Sequence, residues 1–274
     1  MSRLNGKTVF ISGASRGIGR AIALACAKQG ANLIITGKSD EPHPKLSGTI
    51  HTVAEEVRQA GGQALAVKMD VRKESQVKEA FDAAVAQFGG IDVLVNNASA
   101  ISLISAEQTK LTRYDLMHSI NVRGSLACSK AAIPYLKQSD IGHIITLSPP
   151  LNLEPHWLGP HIPYTMTKYG MTLLTLGLAE ELREHGVSAS CLWPQTTIAT
   201  AAIEFALDPA LMKRSRTPEI MADAAMAILA CDDLSLSGQA HIDEALLRAQ
   251  GQTDFEQYRV DPDAPLMRDL FLDE

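Results

Sequence analysis

The chain has 274 residues, 46% of them hydrophobic, and a net charge of −6. That length suits one α/β domain with a substantial core and would cramp two. The acidic balance argues against a general nucleic-acid surface. No run of about 18 apolar residues exists, so no membrane span is expected. Nothing at the N-terminus resembles a secretory leader. Four cysteines, Cys26, Cys128, Cys191 and Cys231, lie in apolar runs without C-x-x-C spacing. They read as buried free thiols of a reducing compartment, which points to the cytoplasm.

Taken in order, Thr8–Ser12 is a strand-like β-branched and aromatic run. A glycine-rich turn, Gly13 to Gly19, follows, then a helix over 20–29 ended by Gly30, and a second strand over 32–36. The pattern continues with a helix over 53–59, a strand over 64–68, a helix over 75–88, a strand over 93–95 and a long helix over 112–136. A strand over 143–147, a helix over 164–185, a strand over 188–192, a helix over 219–230 and a short strand over 240–242 complete it. Strands alternating with helices predict a single doubly wound parallel sheet of Rossmann type, an α/β fold with helices on both faces. One domain over 1–274 is expected, with 246–274 as a C-terminal tail. Three stretches resist this reading: 39–50, 149–163 with its five prolines, and 196–216, a candidate lid.

Small residues between a strand and a helix let backbone N–H groups approach a pyrophosphate, although the spacing is G-x-x-x-G-x-G and a plain tight turn competes. An acid at the end of the second strand would bind a ribose hydroxyl, whereas a base accommodates a 2′-phosphate. The sequence there is Thr36-Gly37-Lys38-Ser39. Lys38 and Arg16 therefore favour NADP over NAD, and the competing reading of Lys38 is a solvated loop lysine. Tyr164 and Lys168 lie one helical turn apart. A phenol titrates near ~10, and an adjacent ammonium would favour its ionised form, making Tyr164 an acid/base at neutral pH. A solvated pair is the alternative. His43, His51, His156 and His161 show no metal-ligand spacing, so no metal is expected.

In this order, Gly13–Gly19, Asp70-Val71, Asn96-Asn97-Ala98-Ser99, Asn121 and Tyr164 with Lys168 give a chain that resembles the compact short-chain dehydrogenases/reductases over about residues 6 to 245. Within them it looks most like the hydroxysteroid dehydrogenase-like group. That closer likeness rests on Pro42-His43-Pro44-Lys45-Leu46, on the run Asn96 to Leu103, on Ser148-Pro149-Pro150-Leu151-Asn152-Leu153 and on the tail Phe271 to Glu274. Some members carry a sterol-carrier domain, which is not expected here.

The resemblance implies roles. Tyr164 is the acid or base, Lys168 holds the nicotinamide ribose and lowers the tyrosine's pKa, and Asn121 anchors a water. Gly13, Ser15, Arg16, Gly17, Ile18 and Gly19 cradle the cofactor. Asp70 and Val71 flank the adenine, while Asn97 and Ala98 sit beside the dinucleotide. A homo-oligomer and a small carbonyl or alcohol substrate of apolar character are implied as well.

The sequence departs from the family pattern at the fifth strand. The usual serine position is Pro149, which has no side-chain donor, so either Ser148 turns inward and serves or another group polarises the carbonyl. After the sixth strand Thr196, Thr197 or Thr200 is left to bind the carboxamide, with Thr196 named first. Trp157, Leu158 and Ile162 are candidate pocket walls, although ordinary loop packing competes for Trp157. Phe205, Leu207, Leu211 and Met212 are candidate lid residues. A nucleotide-binding regulatory or scaffold protein without turnover is the alternative function. A nucleotide-sugar epimerase expects different glycine spacing and a larger C-terminal domain.

Overall fold

The computed structural model describes residues 2–44, 46–206 and 208–273, so the expectations on Lys45, Leu207 and Glu274 lie outside the described residues. Short β-branched and aliphatic runs make the strands Thr8–Ile11 (β1), Asn32–Gly37 (β2), Gln63–Lys68 (β3), Val93–Asn96 (β4), His143–Leu147 (β5), Ser188–Trp193 (β6) and Ala240–Ile242 (β7). They pair in the order β3-β2-β1-β4-β5-β6-β7, and every neighbouring pair is parallel. The helices are Gly17–Lys28 (α1), Ile50–Gln59 (α2), Glu74–Phe88 (α3), Leu111–Leu136 (α4), Pro155–Leu158 (α5), Ile162–Glu181 (α6), Ala201–Ala206 (α7), Glu219–Ala230 (α8) and Asp243–Ala249 (α9).

Alternation along each strand splits the core into two layers. Val9, Ile11, Leu33, Ile35, Val93 and Val95 face α1, α2 and α8 through Ile22, Val53 and Ile228. Phe10, Ile34, Leu94 and Ile144 face the other way, against Phe81 of α3, Cys128 of α4 and Leu178 of α6. The stacked rings of Phe10 and Phe81, 4.0 Å apart, mark the centre of that second layer. Both faces of the sheet are thus covered, as the near-continuous apolar strands predict.

Most departures from the expected boundaries have local causes. The first helix begins at Gly17 rather than at residue 20, because the turn itself forms the first helical turn. The second begins at Ile50, where Thr49 and Thr52 cap each other reciprocally. The proline-rich stretch holds α5, with Pro155 in its first turn. The candidate lid contains α7 and a 3₁₀ turn over Pro209–Arg214. Cys26, Cys128 and Cys191 are buried and free, whereas Cys231 is only half-buried.

The expected tail is integrated rather than appended. It begins within α9, which packs on α8. The following backbone is stitched to the segment after β6. Met267 donates to the Arg214 carbonyl at 2.8 Å, Thr197 donates to Met267 at 2.9 Å, and Asp269 donates to Gln195 at 3.1 Å. The strand order reverses between β1 and β4, so a crevice opens at their carboxyl ends, where such sheets bind ligands.

Candidate active site

A cavity of about 790 Å³ occupies that crevice, lined by the glycine turn at one end and by Tyr164, Lys168 and the returning tail at the other. Tyr164 and Lys168 stand one turn apart on α6, and each is 3% exposed. The Lys168 ammonium donates to the Leu147 carbonyl at 2.6 Å and lies 5.1 Å from the centre of the Trp193 ring. Burial pulls its pKa down to about 8, against the opposing pull of Asp269 and Cys191. Burial, with Asp269 adding to it, pushes the Tyr164 phenol above its usual value. The expected direction was downward; loss of solvent sets the opposite one here. The phenol therefore rests protonated at neutral pH.

The other two expected catalytic residues are buried behind the cavity wall. Ser148 is fully buried. Its hydroxyl donates to the Lys168 carbonyl at 3.2 Å and bonds the Thr172 hydroxyl. The strand alternation that points Leu147 at the cavity turns Ser148 into α6, so it does not replace the missing serine. Asn121 is also fully buried. Its Oδ1 accepts from Ala100 N at 2.7 Å, and its Nδ2 donates to Ala100 O at 3.0 Å and Thr167 Oγ1 at 2.9 Å. The Asn121 amide clamps the loop after β4 to α6, with its side-chain bonding capacity largely spent on protein.

At the nucleotide end, Gly13, Ser15, Arg16, Gly17 and Ile18 line the cavity together with Lys38, Asp70, Val71, Asn97 and Ala98. Gly13 has φ +69°, and a Cβ there would stand 2.9 Å from Ala98 Cα. Gly19 lies just behind: a Cβ there would come within 2.6 Å of Asn97 Nδ2. Asn97 in turn donates to the Ser12 carbonyl at 3.0 Å and to the Gly13 carbonyl at 2.8 Å, locking β4 to the turn. Arg16 is tied to the loop between β2 and α2 through the carbonyls of Ser47 at 2.9 Å and Gly48 at 2.8 Å. Asp40 pairs with His51 at 2.7 Å and Lys68 at 3.2 Å and is absent from the cavity lining. The cradle is thus small-residued and carries Lys38 where a second-strand acid would otherwise meet a ribose. Close-approach glycines at one end of the cavity and the Lys38 cation beside them are a chemistry that would suit an anionic dinucleotide.

At the far end several expectations are corrected. Thr196 is buried with its hydroxyl unpartnered and turned from the cavity, while Thr197 and Thr200 line it. Trp157 and Leu158 pack in an aromatic cluster instead of walling the pocket, with Trp157 Nε1 donating to Asp273 at 2.9 Å. Ile162 is likewise off the cavity, as are Phe205, an exposed side chain, and Met212; Leu211 does line it. The apolar wall is built from Ile101, Leu103, Ile120, Ile203, Met267 and Leu270. Phe271 anchors the last two. It is 1% exposed, meets the rings of Tyr164, Tyr169 and Trp193, and holds a left-handed backbone of φ +70°. Sequence reasoning missed this tail and its acid, Asp269. The signal was an apolar run, Leu266 to Leu272, interrupted by Arg268 and Asp269.

Asp269 lines the cavity. Burial, aided by Asp243, pushes its carboxyl up to about 7.

With that geometry established, known proteins supply the relationship. Residues 7–207 match the sequence profile described as short chain dehydrogenase. Human hydroxysteroid dehydrogenase-like protein 2 is 50% identical over 272 residues, which is 99% of this chain; the chain spans 65% of that relative's length. A crystallised protein of Xanthomonas campestris is 51% identical and superposes with a TM-score of 0.95, with 100% of both chains covered. A metagenomic short-chain oxidoreductase solved in complex with NADP is 26% identical, with a TM-score of 0.73 over 88% of this chain and 98% of that one.

Proposed function

This chain belongs to the short chain dehydrogenase family, and from that membership we propose that it is an NADP(H)-dependent oxidoreductase interconverting a carbonyl and a secondary alcohol, with Tyr164 as the acid/base. The observation that carries the proposal is the shared cavity: Tyr164 and Lys168 line the same space as the Gly13–Ile18 turn. When bound, the nicotinamide supplies hydride to the carbonyl carbon or takes it from the carbinol. The chain's own groups do the rest. In reduction the protonated Tyr164 gives its proton to the substrate oxygen. Lys168, charged below about 8, holds the ribose and stabilises the phenolate left behind. In oxidation the same proton returns to Tyr164.

Lys38 in the lining, with Asp40 paired elsewhere, supports NADP as the cofactor. The NADP complex of the metagenomic relative is in keeping with it. The apolar far wall supports an apolar carbonyl substrate, fatty-acyl or steroid-like. A homo-oligomer in the cytoplasm completes the reading. Among the described residues no helix is long and apolar enough to cross a membrane.

The test is NADPH oxidation against a panel of aliphatic and steroidal ketones. Tyr164→Phe is expected to lower kcat by at least about 10²-fold, the scale of a lost general acid, while NADPH still binds. Binding without any Tyr164-dependent turnover supports the alternative, a non-catalytic nucleotide-binding regulator, which Pro149 and the buried Ser148 motivate.

A further inference from the structure

The wall nearest Tyr164 lacks an obvious second donor for a substrate oxygen. Pro149 stands where the fifth strand would supply a hydroxyl, and Ser148 is spent on the Lys168 carbonyl and Thr172. Thr197 is bonded to Ser215 at 2.8 Å. Asn97 is spent on the glycine turn. Ser15, Arg16, Lys38 and Asp70 belong to the nucleotide end. Thr200 stands beside Gly17 at the nucleotide end, and the carboxyl of the lining that acts on both Tyr164 and Lys168 is Asp269, carried there by the tail.

The tail fixes Asp269 from both sides. Its backbone N–H donates to the Gln195 carbonyl at 3.1 Å, and its Oδ1 accepts from Leu270 N at 2.7 Å. Among the described residues no donor engages Oδ2. Phe271, locked in the aromatic cluster, pins the backbone two residues on.

We infer that Asp269, as a neutral carboxylic acid, is the second hydrogen-bond donor to the substrate's carbonyl oxygen, opposite Tyr164 and in place of the fifth-strand serine. Its Oδ2–H donates without transferring its proton; the proton that reaches the substrate oxygen still comes from Tyr164. The inference rests on the carbonyl reductase reading above and identifies a group that acts in it.

The charged and titratable groups facing Asp269 are Tyr164 and Lys168 from α6 and Asp243 from the start of α9, with Arg268 beside it in the tail. Burial and Asp243 favour the neutral acid, whereas Lys168 opposes it. The balance near 7 puts the donor's loss within the working range of pH. As pH rises through that value Asp269 ionises, loses its O–H and repels the charge developing on the oxygen.

The experiment follows kcat/KM against pH for reduction of a straight-chain methyl ketone with NADPH. Wild type is expected to lose activity above pH about 7. Asp269→Asn keeps a donor that cannot ionise, so the limb near 7 gives way to that of Lys168 near 8, and its acid-side activity falls less than roughly tenfold. Asp269→Leu loses roughly 10²–10³-fold, the scale of one removed oxyanion donor, with NADPH affinity intact. An unchanged limb in Asp269→Asn overturns the inference, and the Asn variant alone suffices if the Leu variant does not fold.

A second readout needs no turnover. The infrared carbonyl band of cyclohexanone in the dead-end complex with NADP is expected at lower frequency in wild type and Asp269→Asn than in Asp269→Leu. Equal frequencies overturn the assignment even if the protein reduces nothing. Tyr164-dependent turnover with unaltered Asp269 variants sinks this inference and leaves the enzyme reading intact. Absent turnover sinks that reading, and the infrared comparison still decides on Asp269.

Discussion

At the scale of single residues the site divides by burial. Tyr164 and Lys168 both sit 3% exposed, so solvent no longer levels their proton affinities, and the phenol and the ammonium are each biased toward neutrality. Lys38 lies at the open nucleotide end with no acid of the cavity lining beside it except Asp70, which Arg72 already holds at 2.5 Å. Lys38→Asp is therefore expected to weaken NADP binding by roughly 10- to 100-fold, the worth of one charge-assisted hydrogen bond, and to weaken NAD far less. Isothermal titration with both dinucleotides checks it; equal losses would remove the 2′-phosphate assignment. The residues whose place at the cavity was legible in the sequence were those set by local pattern. The glycine spacing, Lys38 at a strand end, Asn97 and the Tyr164–Lys168 pair each follow from a few neighbouring letters. Ser148, Thr196 and Asn121 were harder, because which face of a strand end or helix meets a cavity depends on one residue of register.

Among the elements, the strands and long helices were readable because both periods are strong: continuous apolar runs for strands covered on both faces, and helical spacing in α3. The tail was not readable. Its residues have no period, and their partners lie in the segment after β6, far away in sequence. Phe271 is the element's anchor, surrounded by Tyr164, Tyr169, Trp157 and Trp193. Its left-handed backbone costs about 1–3 kcal/mol, which the buried ring offsets. Phe271→Ala is expected to destabilise the protein by roughly 3–5 kcal/mol, seen in a urea melt. It should also weaken substrate binding while NADP binding survives. A cost under about 1 kcal/mol would show that the tail is not held by this ring.

Across the whole molecule, a buried carboxyl and a half-buried one set a pH signature. Asp243 is raised to about 6 and Asp269 to about 7 from a usual value of 3.8. A carboxyl whose folded pKa is raised contributes stability in full below its unfolded pKa. That contribution is lost as pH climbs through the folded value, because ionisation is easier in the unfolded chain. Relative to wild type, Asp269→Asn is therefore expected to gain stability between pH about 4 and about 7, by at most about 4 kcal/mol, and to hold a constant offset above. Calorimetry of both proteins across that range measures it; a pH-independent difference would mean that Asp269 titrates normally.

The same return of the tail has a consequence for biosynthesis. Residues 255–273 leave the ribosome after every strand of the sheet, so a nascent chain completes its dinucleotide cradle before the wall opposite Tyr164 exists. Proteolytic nicking in the exposed stretch just past α9, at Gly251 to Asp254, would separate the two halves of that assembly. Such a nick would leave the glycine-turn end of the cavity whole and take away the tail residues Met267, Asp269 and Leu270 from its other end.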